Sequence, residues 1–192
     1  MADDRMFTGA EALLVTRNAQ NLEHPGGTLL EHLRRVGEHL ADWGASREVQ
    51  LAGLCHAAYG TDGFPVSLLD LDQRGSLREA IGMQAEELVY LYASCDRGQV
   101  YPQLDQVAVY FDDRFTGLRT QPDRKSLRAF VEITAANELD VVRNSSALAT
   151  EHGPALQRLF VRASRHLSPS AQQAWSALQV TADPRAGENS TK

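Results

Sequence analysis

The chain has 192 residues, 43% apolar and 23% charged, an ordinary globular composition that excludes a disordered or collagen-like polypeptide. Its 19 basic and 25 acidic residues leave a net charge of −6, which disfavours partners held by charge alone, nucleic acid and anionic membrane surfaces among them. Cys55 and Cys95 sit in apolar runs without a CxxC spacing, and no apolar run nears the roughly 18–20 residues that cross a bilayer. The acidic start MADDRMF lacks a leader pattern, so a soluble cytoplasmic protein is expected.

One domain is expected over residues 1–182, with a flexible tail over 183–192 and a loose start over 1–6. The clearest element is TLLEHLRRVGEHLADW, residues 28–43. Leu29, Leu33, Val36, Leu40 and Trp43 step along it by 4, 3, 4 and 3, which is one helical stripe. Thr28 and Glu31 form a capping box, Pro25-Gly26-Gly27 breaks the chain before it, and Gly44 ends it. Ser46 caps a second helix that runs to Tyr59 and ends at Gly60. After Glu48 it lacks a polar face apart from Gln50 and His56, the mark of a helix at the centre of its domain.

A loop with Gly and Pro follows over 61–75. Ser76 and Glu79 are read as a capping box opening a helix that pauses at Gly82 and resumes as MQAEELVYLYASC. Over 99–122 the β-formers Val107, Val109, Tyr110 and Phe111 precede DDRFTG and a Pro, which predicts a short hairpin. Helical pattern returns from Ser126, again near 154–166, and after Ser168-Pro169, a cap followed by proline at the first helical position. The fold expected is all-α with one hairpin insertion.

Chemistry is sought first among the histidines. With about 100° per residue, His32 falls about 60° from the centre of the 28–43 stripe, at the edge of the buried face, and His39 about 80° away, further towards solvent. His24 lies in the loop feeding that helix. His56 sits inside the most apolar helix, where an imidazole costs free energy unless its nitrogens are satisfied. That pattern fits a core histidine bonded to a backbone carbonyl and a functional one equally well. Asp96 ends the run LVYLYASC, where the helix dipole opposes a carboxylate. It is read either as a local cap or as held there by a cation. Asp62 lies in TDG, ordinary turn chemistry, and Tyr59, Tyr90, Tyr92 and Tyr101 fall near these residues in sequence. No P-loop, GxGxxG, GxSxG or HExxH competes.

A histidine in the first long helix, then LAGLCHAAYGTDGF, then an aspartate ending a later helix, together resemble the HD-domain superfamily. HPGGTLLEHL and LAGLCHAAYGT look closest to an uncharacterised branch of it. The resemblance covers roughly residues 20–140. It implies an HD-like helical bundle and an enzyme acting on a small-molecule substrate through a divalent metal, Fe, Mn or Zn. His32, His56 and Asp96 carry over as ligands, and His24 could supply a further nitrogen; apart from the resemblance, Asp62 and Tyr59 are the catalytic candidates that the residues themselves offer. HD proteins carry Asp directly after the second histidine, whereas this chain has Ala57, which puts a dinuclear centre or a standard phosphodiesterase in doubt. Asn137 and Asp140, three apart on the helix from Ser126, could face the same cavity, with capping or exposure the preferred reading of both. A metal-free descendant using its pocket for binding or histidine acid–base work is the second reading, and an interaction module docking through hairpin 105–120 the third. No nucleic-acid or membrane partner is expected; substrate, reaction and oligomeric state, a homo-oligomer included, stay open.

Overall fold

α1 (Ala2–Thr16) opens the chain, which the computed structural model describes over residues 2–178. A 3₁₀ turn at Ala19–Asn21 leads into a two-stranded antiparallel ribbon, β1 (Glu23–His24) and β2 (Gly27–Thr28). α2 (Leu29–Asp42) starts at the expected capping box: Thr28 Oγ1 accepts the Glu31 N–H at 3.3 Å, and Glu31 Oε2 accepts the Thr28 N–H at 2.7 Å. Then come α3 (Arg47–Leu54), α4 (Arg74–Ile81), α5 (Met83–Ser94) and the single turn α6 (Arg97–Val100). A second ribbon, β3 (Phe111–Asp112) with β4 (Arg119–Thr120), is the hairpin expected within 99–122. α7 (Arg124–Asn144), α8 (Ser146–Arg162) and α9 (Pro169–Ser176) complete an all-α fold. The tail expected over 183–192 lies outside the described residues. No helix among the described residues is long and apolar enough to cross a membrane.

α2 packs on α3 and α7, and α5 packs on α3 and α7. The stripe residues Leu33, Val36 and Leu40 are fully buried in this contact. Burial of such side chains stabilises by about 1.5–3 kcal/mol each, so the stripe drives the docking of α2. Gly53 makes α3 fit: a Cβ there would collide with the Leu40 side chain, so the two helices meet where α3 has none. α7 is buried on nearly every side from Ala129 to Ala136, which places a 21-residue helix through the core.

Four expectations need correction. Residues 2–6 are helical, as the first turns of α1. The helix expected to reach Tyr59 is α-helical only to Leu54, although residues 51–60 are all buried. His56 Nδ1 donates to the Gly53 carbonyl at 2.8 Å, the acceptor that the Ala57 N–H would take in a continuing helix, and the chain tightens into successive turns. Ser76 lies inside α4 rather than capping it; the capping box is Asp70 with Gln73, on the 3₁₀ turn before that helix. α7 is capped by Asp123 and starts at Arg124, two residues ahead of Ser126.

Candidate functional site

Four segments bring the histidines together. The β1–β2 turn supplies His24, α2 supplies His32, and the tight turns after α3 supply His56. α7 supplies Asn137, Glu138 and Asp140 from across the core. Pro25-Gly26 makes the ribbon turn, and Gly26 adopts φ 82°. A Cβ on Gly26 would stand 2.6 Å from the Asn144 side chain, so glycine lets the turn press onto the end of α7 and sets His24 over the site. The His24 ring stacks on His32 with centroids 3.9 Å apart, and His56 meets His32 edge-on at 5.3 Å.

A continuous polar chain links α2, α7 and α6. Arg35 Nε donates to Asp140 Oδ1 at 2.6 Å, and His32 Nδ1 pairs with Asp140 Oδ2 at 2.6 Å. His32 Nε2 pairs with Asn137 Oδ1 at 3.1 Å, and Asn137 Nδ2 donates to Glu138 Oε1 at 3.1 Å. Arg97 donates to the same Glu138 oxygen at 3.1 Å and to the Tyr92 hydroxyl at 3.0 Å, while its backbone N–H meets Asp62 Oδ2 at 2.9 Å. Linked buried hydrogen bonds reinforce one another and fix their members in place, so this wall is rigid before any ligand arrives. Asn137 and Asp140, expected at a cap or in solvent, are buried members of the chain, a correction that only the α2–α7 contact reveals.

The wall borders a cavity of about 230 Å³ lined by His24, His56, Asp62, Arg97, Asn137 and Glu138, with Phe64, Val141 and Leu148 among its apolar residues. His56 Nδ1 faces a carbonyl, which can only accept, so that nitrogen carries the proton and Nε2 presents a lone pair. Nε2 has no hydrogen-bond partner among the described residues. Burial, followed by the neighbouring His32, pushes the His56 pKa down to about 3. The same two causes take His24 to about 4, so both rings are neutral at pH 7. For Asp140 burial acts upward, but the bonds from His32 and Arg35 prevail and hold the carboxyl at about 2.

The residues expected to form a metal centre do not converge as ligands. Both nitrogens of His32 are engaged, by Asp140 and by Asn137. His24 lies nearly parallel to His32, at 25°, so the ring-plane lone pairs of the two run side by side instead of meeting at a point. Asp96 is absent from the cavity lining and caps α6, its carboxylate accepting the Gln99 N–H at 3.1 Å. Ala57 lines the cavity but offers no donor atom. No group of three or more His, Cys, Asp or Glu side chains among the described residues is placed to hold a metal ion. This donor set does not fit the metal that the HD resemblance implies.

Of the two residues expected to be catalytic, Asp62 lines the cavity and Tyr59 does not. Tyr59 turns to a different cluster, where its hydroxyl donates to Glu86 Oε1 at 2.9 Å beside Arg74 and Arg78. Sequence reasoning missed Arg97 and Glu138, whose roles have no local signature. Their positions follow from the meeting of α6 with α7.

Residues 13–97 match the model of a family described as a domain of unknown function, DUF6817. The match spans less than half of the chain. It includes His24, His32, His56 and Asp62 and stops at Arg97, short of the α7 side of the cavity. Nothing in the family's description links it to HD-domain proteins. No curated protein and no solved structure matches the chain.

Proposed function

We propose that the cavity beside His56 is a metal-free recognition pocket for a small polar molecule, in a helical core of the HD-like kind. The observation that carries this reading is the contrast between an engaged wall and two disengaged histidine nitrogens, His24 Nδ1 and His56 Nε2. Asp140, His32, Asn137, Glu138 and Arg97 satisfy one another, whereas His56 Nε2 faces the cavity without a protein partner among the described residues. Unengaged imidazole nitrogens at such a site favour a ligand that brings hydrogen-bonding groups to them; His24 Nδ1 is buried, and an unmet buried polar atom costs about 1–3 kcal/mol. At about 230 Å³ the cavity is smaller than the roughly 300–1,000 Å³ of drug-sized sites, which favours a compact ligand. Phe64, Val141 and Leu148 would enclose its apolar part.

Binding is favoured over proton storage. An imidazole whose pKa lies near 3 accepts a hydrogen bond at pH 7 but holds a full proton poorly, whereas a general base works best near the operating pH. Acid–base catalysis on an acidic donor is therefore the second role of the same nitrogen. The test has two arms. Thermal melting with and without a chelator, after exposure to iron(II), manganese(II) or zinc(II), is expected to give one midpoint. A midpoint several degrees lower on chelation overturns the metal-free reading, because a metal bound only to the native state must stabilise it. A melting screen against polyols, small amides and amino acids is expected to find compounds that stabilise the wild type and not His56→Gln. Equal shifts in both proteins would place the binding elsewhere.

A further inference from the structure

A cavity larger than the one beside His24 and His56 lies elsewhere among the described residues. α2 and α7 run antiparallel, so that His32 near the start of α2 meets Asp140 near the end of α7, while Trp43, just after α2, lies with Arg128 near the start of α7. Eleven residues of α2 separate the two places, about 16 Å at 1.5 Å per residue. There a groove of about 660 Å³ is floored by Trp43, Val49 and Ala129 and edged by Arg124, Lys125 and Arg128, a volume within the roughly 300–1,000 Å³ usual for small-molecule sites.

The charge of this groove runs against that of the protein. In a chain with net charge −6, three exposed cationic side chains fall within five consecutive residues, and none of them makes an ion pair with a described residue. The carboxylates nearby are engaged. Asp123 caps α7 by accepting the Ser126 N–H at 2.9 Å, and Glu132, at the groove floor, accepts the Ser168 N–H at 3.0 Å and the Ser168 hydroxyl. Glu48 accepts the Ser46 hydroxyl at 2.7 Å, and Lys125 lies within electrostatic reach of it. Two guanidiniums one helical turn apart can each present paired N–H donors to an oxyanion, and an indole floor beside them takes an apolar or aromatic body.

We propose that this groove is a second binding site, for an amphipathic organic anion whose acidic group meets Arg124 and Arg128 and whose apolar body lies on Trp43 and Val49. The site is independent of the histidine pocket. 1-Naphthoate is a suitable probe, with neutral 1-naphthalenemethanol as its control, titrated into the full chain by calorimetry. The expected result is saturable binding of one naphthoate, at least tenfold weaker in the Arg124→Gln/Arg128→Gln double variant and at least tenfold weaker for the neutral control. His56→Gln is expected to bind naphthoate like the wild type, which separates this outcome from any failure of the histidine-pocket reading. Since Arg124 and Arg128 are exposed, the double variant is expected to keep the wild-type circular dichroism spectrum. Naphthoate should also quench the wild type, which has two tryptophans, more than Trp43→Phe, which keeps only the buried Trp175. Absence of saturable binding, equal binding of the neutral control, or unchanged affinity in the double variant overturns the proposal. So does capture of an acidic peptide by Arg124 and Arg128 without naphthoate binding, which would assign the groove to a protein partner.

Discussion

His56 is fixed by one hydrogen bond to the Gly53 carbonyl and by edge-on contacts with His32 and Tyr92, so its replacement has separable effects on folding and on binding. Gln fills most of the space and keeps a donor, and His56→Gln is expected to fold with a loss on the order of 1 kcal/mol while the small-molecule melting shifts disappear. Ala leaves a cavity and takes from the Gly53 carbonyl its shorter hydrogen bond, leaving the backbone N–H of residue 56 at 3.4 Å, and a loss of about 1–3 kcal/mol in urea unfolding is expected. Asp140→Asn removes the charge that both Arg35 and His32 address and is expected to destabilise by roughly 1.5–3 kcal/mol, the range for hydrogen bonds to charged groups. Acid titrates the same residues. His56 and His24 are held at about 3 and about 4, below their ordinary 6.5, so below pH 6.5 the unfolded chain binds more protons than the folded one. Stability is therefore complete above that value and falls as pH drops towards 4, with a slope of up to about 1.4 kcal/mol per pH unit for each fully shifted group. Asp140 adds its own loss only further down, as pH falls from its ordinary 3.8 towards about 2. Urea midpoints measured from about pH 7.5 to about pH 4.5 check the sign, and the decline should be shallower in His56→Gln; a flat profile would contradict the burial of His56 and the partial burial of His24.

At the scale of elements, the α2–α3 contact is the most exposed to small changes. Gly53→Ala drives a Cβ into the Leu40 side chain and is expected to cost about 1–3 kcal/mol, the usual penalty of overpacking, with a matching fall in the urea midpoint. A companion Leu40→Val change, which shortens the opposing side chain, should recover part of that loss; no recovery would show that the contact is not where the strain lies. α2 was legible in the sequence because its stripe, capping box and terminating glycine agree with one another. The early end of α3 was not, because the competitor for the Gly53 carbonyl is the His56 side chain and periodicity counts only residue types. The β1–β2 ribbon has a readable cue in Pro25-Gly26, a pair suited to a tight turn, but the same pair equally marks a plain break before a helix, and two-residue strands carry no period of their own.

For the whole molecule, pocket and groove lie at opposite ends of one helix pair, α2 with α7. The core between them holds Leu33, Val36 and Ile133 without exposed surface, so the two ends are joined through packed side chains. The sequence by itself determined the all-α class, the hairpin, the burial of residues 51–60 and the candidacy of His24, His32 and His56, since composition, period and caps are local properties that survive without a fold. It did not determine which residues complete the site. Asp96 and Tyr59 are near the histidines in sequence yet are drawn to a helix cap and to Glu86, while Asn137 and Asp140, more than 100 positions from His32, become its hydrogen-bond partners. Only the tertiary structure decided this, because the partner of a buried polar atom is set by which helix faces press together. The antiparallel seating of α2 on α7 likewise set three cations beside Trp43, and nothing local to either segment specifies that meeting.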